Sequence, residues 1–450
     1  GGALRELLSG GGVADLDLAV AGGALEIGRR VADRLEASFV VLDVARGAGR
    51  IVPRGGGPVI DLVDLRAPTL EGDLRARDFT VNALAVSAGD LLREGAAMIA
   101  DPTGGLADLR ERVVRACGPA AISDDPLRAL RGVRLALRPG WRLDAAAEAA
   151  IRAAAPSVSG VAGERIHEEL VGILADPAAG VGLRHLDGLG VLAALLPESL
   201  AMRATPQPLP HHFDVWEHSL RAVEAVDALL TGLDGLAPWS PALRAHLAQG
   251  LGGGMTRREA LKLAALLHDV AKPETRAEDG GRIRFIGHDS AGARRIPGIA
   301  QRFRLSRRAA QVLERLVAEH LRPMHLAQAG TLTRRARFRF HRALGDEARD
   351  LLLLALADAA ALTGGSPLAI WAGAGGEVVR ALMAGVEEEA AAAAVPALLR
   401  GEDVMAAFGL PPGPEVGRLL ALAREAQALG AIATREEALA HLRRARGTGT

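Results

Sequence analysis

Strand-length alternation at the start of this chain gives way to helical spacing over the rest of it. Residues 13–20 (VADLDLAV), 38–44 (SFVVLDV) and 58–65 (PVIDLVDL) alternate or run apolar over the length of a strand. Residues 23–36, between the first two, have helical spacing and charged ends. Arg54-Gly55-Gly56-Gly57-Pro58 predicts a hairpin-like turn ahead of the third strand. Asp73–Ala85 (DLRARDFTVNALA) opens with charges and then turns apolar, which predicts an amphipathic helix; Asp101–Leu109 (DPTGGLADL) predicts a turn followed by a helix. Farther on, Asp124–Arg134 reads as a helix start, with Asp at its N-terminus and Pro in its first turn. Helical spacing continues through Arg165–Leu170, the apolar run Leu261–Val270 and an Ala-, Leu- and Glu/Arg-rich tail with an alanine run at 390–394. The pattern predicts an α+β chain: a small mixed sheet with helices first, helices afterwards, and a break at Pro206, Pro208 and Pro210.

Composition narrows the class. With 450 residues the chain has room for about three domains. Apolar residues at 49% and charged residues at 24% are ordinary for a globular protein. The sequence has no apolar stretch of membrane-spanning length and no secretory n- and h-region, so no membrane partner is expected and the cytoplasm is the default compartment. A single cysteine, Cys117, excludes an internal disulfide framework. Net charge is zero, so a nucleic-acid partner would have to meet a local basic face. Lys262 and Lys272 are the only lysines, and arginine, whose fork suits phosphate, makes up the rest of the basic set. A GC-rich genome also produces Arg and Ala richness. The densest basic stretches are Arg334–Arg342 (RRARFRFHR) and Arg443–Arg446 (RRAR), each either a phosphate contact or a solvated helix face.

Candidate chemistry gathers first around Asp15 and Asp17. Alternation puts both on one face of a strand, about 7 Å apart along it. Paired carboxylates beside a Gly1-Gly2 turn suit two divalent cations and a nucleoside triphosphate, and Asp61 on the third strand can bring a third acid. Arg128, Arg131 and Arg134 recur every three residues on one helix face, with Asp125 three before Arg128.

Five motifs in order (GGxLRE, DLD, IDLVDLR, RDFTVNALA and DPTGGLADL) resemble the class II nucleotidyltransferases, which comprise tRNA CCA-adding enzymes and bacterial poly(A) polymerases. The resemblance implies a nucleotidyltransferase head, in which Asp15, Asp17 and Asp61 hold two Mg²⁺ ions for in-line transfer with loss of pyrophosphate. It also implies that Gly1, Gly2 and Arg5 meet the phosphates, and that Arg77, Asp78 and Asn82 meet the sugar and triphosphate. Asp124–Arg128 resembles the family's Glu-Asp-x-x-Arg motif, so Asp125 and Arg128 are expected to present a fixed edge to the incoming base, with Arg131 and Arg134 steadying the site. Two departures stand out: Glu6 replaces the family's Asp, and Ala76 replaces the first Arg of its Arg-Arg-Asp. Such heads also set a strand ahead of the Gly-Gly pair, so the chain is expected to start inside its first motif.

In the second half His218, His268-Asp269 and Asp358, in that order, resemble the HD superfamily of metal-dependent phosphohydrolases. His288 and His320 fall between, as in members that hold two metals. Imidazole with carboxylate suits a transition metal such as Mn²⁺ or Ni²⁺ better than Mg²⁺ alone. The expected organisation is a head over 1–118, a helical neck for base recognition and RNA binding over 119–200, an HD domain over 201–370 and a helical tail over 371–450. The expected activity is template-independent addition of CMP and AMP, from CTP and ATP, to tRNA 3′ ends. The alternatives are a poly(A) polymerase or a partial CC- or A-adding enzyme, and an HD phosphohydrolase whose head only binds RNA. Oligomeric state is not encoded in any motif.

Overall fold

Strand β1 (Asp15–Val20) lies parallel to β4 (Val59–Asp64), and the register sets Asp17 beside Asp61. Strand β3 (Ala48–Val52) runs antiparallel to β4, and β2 (Ser38–Asp43) antiparallel to β3, giving the order β1-β4-β3-β2. The computed structural model describes all residues except Ala14, 92–97 and 448–450, and the side chains of 387–394 are outside the description as well. One position of the predicted first strand therefore lies outside what is described, as do the side chains of the alanine run at 390–394, which belongs to helix Glu377–Ala394. Two compact units result, Gly1–Pro197 and Glu198–Thr450.

In the first unit, helix α1 (Gly2–Leu8) leads into β1, and α2 (Ala24–Arg34) covers the sheet. Ala24, Gly28 and Ala32, spaced by four, form the buried stripe of α2 against a core of Ile51 and Leu62 flanked by Phe39 and Ile60. Gly28 is required by that packing, because a Cβ there would stand 2.5 Å from the Phe39 ring. Asp64, at the end of β4, caps α2 by accepting from Ala24 N at 2.8 Å.

Three local expectations are corrected. Strand β3 was not foreseen: AGRIV is five residues long and opens on Ala-Gly, and only its pairing on both sides makes it a strand. Asp73–Ala85 is not one helix. Helix α3 (Leu70–Arg75) stops, a 3₁₀ turn covers Thr80–Asn82, and Ala85–Val86 pairs as a short strand. The Asp78 carboxylate accepts from Phe79 N at 2.8 Å and from Asn82 Nδ2 at 3.2 Å, drawing the chain out of a helical path. Phe79, Val81, Ala83 and Leu84 are all fully buried, so no apolar stripe faces a polar one. Finally, the helix expected over Asp124–Arg134 begins at Arg128, with Asp125 extended before Pro126 (φ −145°, ψ 93°). The residue ahead of a proline is sterically disfavoured in the helical region. Helices Gly105–Glu111, Arg128–Ala136, Ala145–Ala154, Gly163–Ala175, Ala179–Gly188 and Val191–Leu195 follow in the unit.

Helices dominate the second unit, joined by two short ribbons, Gly250–Gly252 with Met255–Thr256 and Arg276–Asp279 with Arg282–Phe285. Val215–Thr231, Arg257–Leu267 and Ala348–Thr363 pack through fully buried Val223, Val226, Leu261, Ala264, Leu352 and Leu353. Helix Arg257–Leu267 starts on a capping box between Thr256 and Glu259. The arginine-rich helix Arg334–Leu344 turns much of its charge onto helix Pro414–Ala428: Arg335 and Arg339 pair with Glu425 at 2.8 Å, and Arg342 donates to the Ala421 carbonyl at 3.0 Å. Arg443 and Arg446 remain exposed on the last helix. No helix of the described residues is long and apolar enough to cross a membrane.

Candidate functional site

A cleft of about 460 Å³ in the first unit brings together Gly2, Arg5, Asp17, Arg77, Asp78, Asn82, Asp125, Arg128, Arg131 and Arg134, all of them expected site residues. Nine arginines and three aspartates line it, a strongly cationic surface suited to a triphosphate and an RNA backbone. Gly2 lines it and Gly1 lies beside it, outside the lining: a Cβ on Gly1 would lie 2.9 Å from Arg77 Nη1, and on either glycine 3.5 Å from Asp17 Oδ2. Lack of a side chain is what lets the backbone come this close.

Most of these arginines are aimed by an acid or a carbonyl. Asp73, 2% exposed, accepts from Arg77 Nε and Nη2 at 3.2 and 3.1 Å and from Arg66 N at 2.9 Å. Arg5 donates to Asn82 Oδ1 and to Glu6 at 2.8 Å, and burial lowers its pKa. Glu6 also accepts from Arg138, which stacks on the Trp141 ring. Burial pushes the Glu6 carboxyl up, but its bonds to Arg5 and Arg138 outweigh that and hold it low. The extra methylene of Glu6, where the family has Asp, thus ends between two arginines. Arg131 lies 3.3 Å from Asp78 and 3.6 Å from Glu169, and Arg134 2.7 Å from Glu169. Arg165 Nη2 donates to Asp125 Oδ2 at 2.7 Å; burial raises that carboxyl, and Arg165 more than offsets it. Arg128 donates to the carbonyls of Ala76, Arg77 and Ala121 at 3.1–3.2 Å, which ties its helix to the segment carrying Arg77 and Asp78.

Asp15 and Asp61 are not among the lining residues. Asp15, Asp17 and Asp61 share one face of adjacent strands, an all-oxygen donor set that fits a hard divalent cation. Their carboxylates do not converge in this structure to the 4.8 Å spacing found elsewhere in the chain. Asp61 is instead bound side-on by Arg50, Nε to Oδ1 and Nη2 to Oδ2 both at 2.8 Å. Sequence reasoning missed Arg46, Arg66, Arg138 and Arg165 as cleft residues. Arg138 was within reach, since it continues the row 128, 131, 134 at helical spacing.

The second unit gathers all six expected histidine and aspartate side chains into two groups, His218–His268–Asp358 and Asp269–His288–His320, with ligand atoms in each group within 4.8 Å of one another. His218 Nε2 lies 2.9 Å from Asp358, His288 Nε2 3.2 Å from Asp269, and His288 and His320 Nε2 3.1 Å apart. Nδ1 of His268, His288 and His320 each faces the carbonyl three residues earlier, at 2.8, 2.6 and 2.8 Å, which places the proton on Nδ1 and turns the Nε2 lone pairs inward. His268 Nε2 is buried without a hydrogen-bond partner. Burial disfavours charge at His268, and the neighbouring Asp269 and Asp358 carboxylates outweigh it, so the pocket favours positive charge at the point where the imidazoles converge. The donor set fits a metal, and these side chains form a candidate metal centre. Asp358, 33% exposed, opens it to solvent. Lys272 bridges Asp269 and Gln207 at 2.6 and 2.7 Å, and the His211 ring lies 5.4 Å from that of His218; Gln207 and His211 carried no signal in the sequence.

Comparison with known proteins identifies the family. Residues 58–115 match the family described as "Poly A polymerase head domain", 140–202 the "Probable RNA and SrmB- binding site of polymerase A", and 215–363 the "HD domain". The chain is 37% identical to the A-adding tRNA nucleotidyltransferase of Deinococcus radiodurans, covering 99% of this chain and 94% of that protein. It is 36% identical to the CC-adding tRNA nucleotidyltransferase of Thermus thermophilus, covering 100% and 95%, and 33% identical to that of Geobacter sulfurreducens, covering 98% and 90%. Among solved structures, the Thermotoga maritima CCA-adding enzyme complexed with tRNA shares the fold (TM-score 0.58, 19% identity, 99% and 90% coverage). So does a CCA-adding enzyme with CTP (TM-score 0.63, 18% identity, 100% and 90% coverage).

Proposed function

This chain belongs to the class II tRNA nucleotidyltransferase family with an HD domain, and from that premise we propose that it adds CMP and AMP to tRNA 3′ ends without a nucleic-acid template. The observation that carries the reading is the cleft itself, where Asp17, Gly2 and the Asp125–Arg128 pair share one arginine-lined space. CTP and ATP are the donors and tRNA the acceptor. Mg²⁺ at Asp15, Asp17 and Asp61 would neutralise the triphosphate and lower the pKa of the acceptor 3′-hydroxyl. The chain's own groups do the rest. Arg5, Arg77 and Arg131 hold phosphate charge, and Asn82 and Asp78 orient the sugar. Asp125, kept ionised by Arg165, accepts from the exocyclic amine of C or A and leaves the carbonyl of G or U facing an anion.

The organisation proposed is a catalytic head over 1–118, a base-reading and RNA-binding neck over 119–200, an HD domain over 201–370 and a helical tail over 371–450, acting in the cytoplasm. The HD centre is proposed to take Mn²⁺ or Ni²⁺ and to hydrolyse a phosphomonoester or cyclic phosphate; its support is the buried inward-facing imidazole set. The test uses tRNA ending at the discriminator base and tRNA ending in CC, with each triphosphate alone and both together. Incorporation of both CMP and AMP supports full CCA addition. AMP only on the CC-ending acceptor, or CMP only, restricts the chain to the A- or CC-adding activity of its full-length relatives. Long AMP runs would indicate a poly(A) polymerase.

A further inference from the structure

The side-on grip of Arg50 on Asp61 bears on how the head takes up its metal. Arg50 on β3 stands directly across from Asp61 on β4, and Asp61 neighbours Asp17 on β1. Both guanidinium bonds are 2.8 Å, a fork-to-fork pair that occupies both carboxylate oxygens on the side facing Arg50. A magnesium ion needs oxygen ligands at about 2.1 Å in near-octahedral array, and it repels a guanidinium held at the same carboxylate. The two cations therefore compete for Asp61. The Arg50 side chain is 45% exposed, so it is free to swing out into solvent.

We infer that Arg50 is a cation latch: it holds Asp61 while the head is empty and yields it when metal enters, so that the metal affinity of the head is set by competition with this one side chain. The inference rests on Asp15, Asp17 and Asp61 being the head's metal ligands, as proposed above. Arg50 is a positioning residue here, acting through Asp61 and touching no reacting atom.

The test is a Mn²⁺ titration followed by electron paramagnetic resonance of the free ion, on the full chain. An Asp15→Asn/Asp17→Asn chain titrated alongside subtracts the HD centre. Arg50→Gln keeps length and polarity and removes the charge. It should bind the head ion roughly fivefold tighter, the equilibrium factor that one half-exposed ion pair supplies. Arg50→Lys, which keeps charge without the fork, should fall between. Arg50→Gln added to Asp61→Asn should change nothing, because the latch has lost its partner. Unchanged or weaker binding in Arg50→Gln and Arg50→Lys, or a shift that persists in the Asp61→Asn background, overturns the latch. If the Asp15→Asn/Asp17→Asn chain binds Mn²⁺ as the parent does, the head metal site itself fails and the latch with it.

Discussion

Replacing Asp73 by alanine removes a carboxylate that never touches the substrate space, yet the change should be felt there. Asp73 is 2% exposed and holds two things at once: the Arg66 backbone N–H and the Arg77 guanidinium. Without it the Arg66 N–H loses its acceptor, a cost of roughly 1–3 kcal/mol, and a charge-assisted bond to Arg77 worth about 1.5–3 kcal/mol is lost. A total near 3 kcal/mol allows for partial rehydration. In a unit of this size each kcal/mol lowers the melting temperature by about 2–4 °C, so Asp73→Ala should melt roughly 6–12 °C earlier. Asp73→Asn retains an oxygen for the Arg66 N–H but turns a neutral amide toward Arg77. It should recover about half of the loss in stability. Both variants free Arg77 to leave the phosphates, so both should raise the KM for the nucleoside triphosphate about tenfold, the equivalent of ~1.4 kcal/mol of lost binding. Differential scanning fluorimetry and single-nucleotide incorporation separate the two effects. Equal melting temperatures for the Ala and Asn variants, or an unchanged KM in both, would refute the division of labour assigned to this side chain.

Asp15→Asn and Asp17→Asn should each abolish nucleotide incorporation while tRNA binding, measured by filter retention, stays within about twofold, because arginines supply the phosphate contacts. Arg165→Ala should blunt discrimination against GTP and UTP and move the acid limb of incorporation to higher pH. Asp125 is depressed in the folded chain, so its contribution is complete above the ordinary carboxylate range and is lost as pH falls through the folded value; removing Arg165 raises that value. An unmoved acid limb would separate Asp125 from the titration. His268→Ala should lose bound transition metal, read by inductively coupled plasma mass spectrometry, without changing incorporation, and equal metal content in variant and parent would sink the HD assignment.

The parts of this molecule that were legible in the sequence are those where one residue type serves one local demand. Asp15 and Asp17 lie on one strand face because alternation is local. His268-Asp269 closes an apolar run because the helix ends there. The arginines of 128–134 share a face because three residues make nearly a turn. What was not legible depends on partners remote in sequence. β3 exists because β2 and β4 flank it, and nothing within AGRIV carries that information. The segment 73–85 fails as a helix because Asp78 caps its own neighbours and because Thr80 finds Asp108, 28 residues on. The Arg334–Arg342 stretch reads locally as either a phosphate contact or a solvated face; much of it is turned onto Glu425 and the carbonyls of another helix, a use that no local pattern signals. Arg50 was unremarkable as a letter, and its meaning comes only from standing across from Asp61.

Three imidazoles of the second unit are aimed by the same three-residue step, each ring resting on the carbonyl of the residue three before it. Two of them, His268 and His320, do so as the residues that cap the C-terminal ends of helices Arg257–Leu267 and Arg307–Glu319, where the last carbonyls are unclaimed. Their rotational freedom is therefore spent when those helices form, long before any ion arrives. Binding then has little ordering entropy left to overcome, and the centre behaves as a rigid chelator whose bite is set by helix length. Inserting one residue before His268 would turn its ring about 100° around the helix axis and leave the ligand present in the chain and absent from the centre.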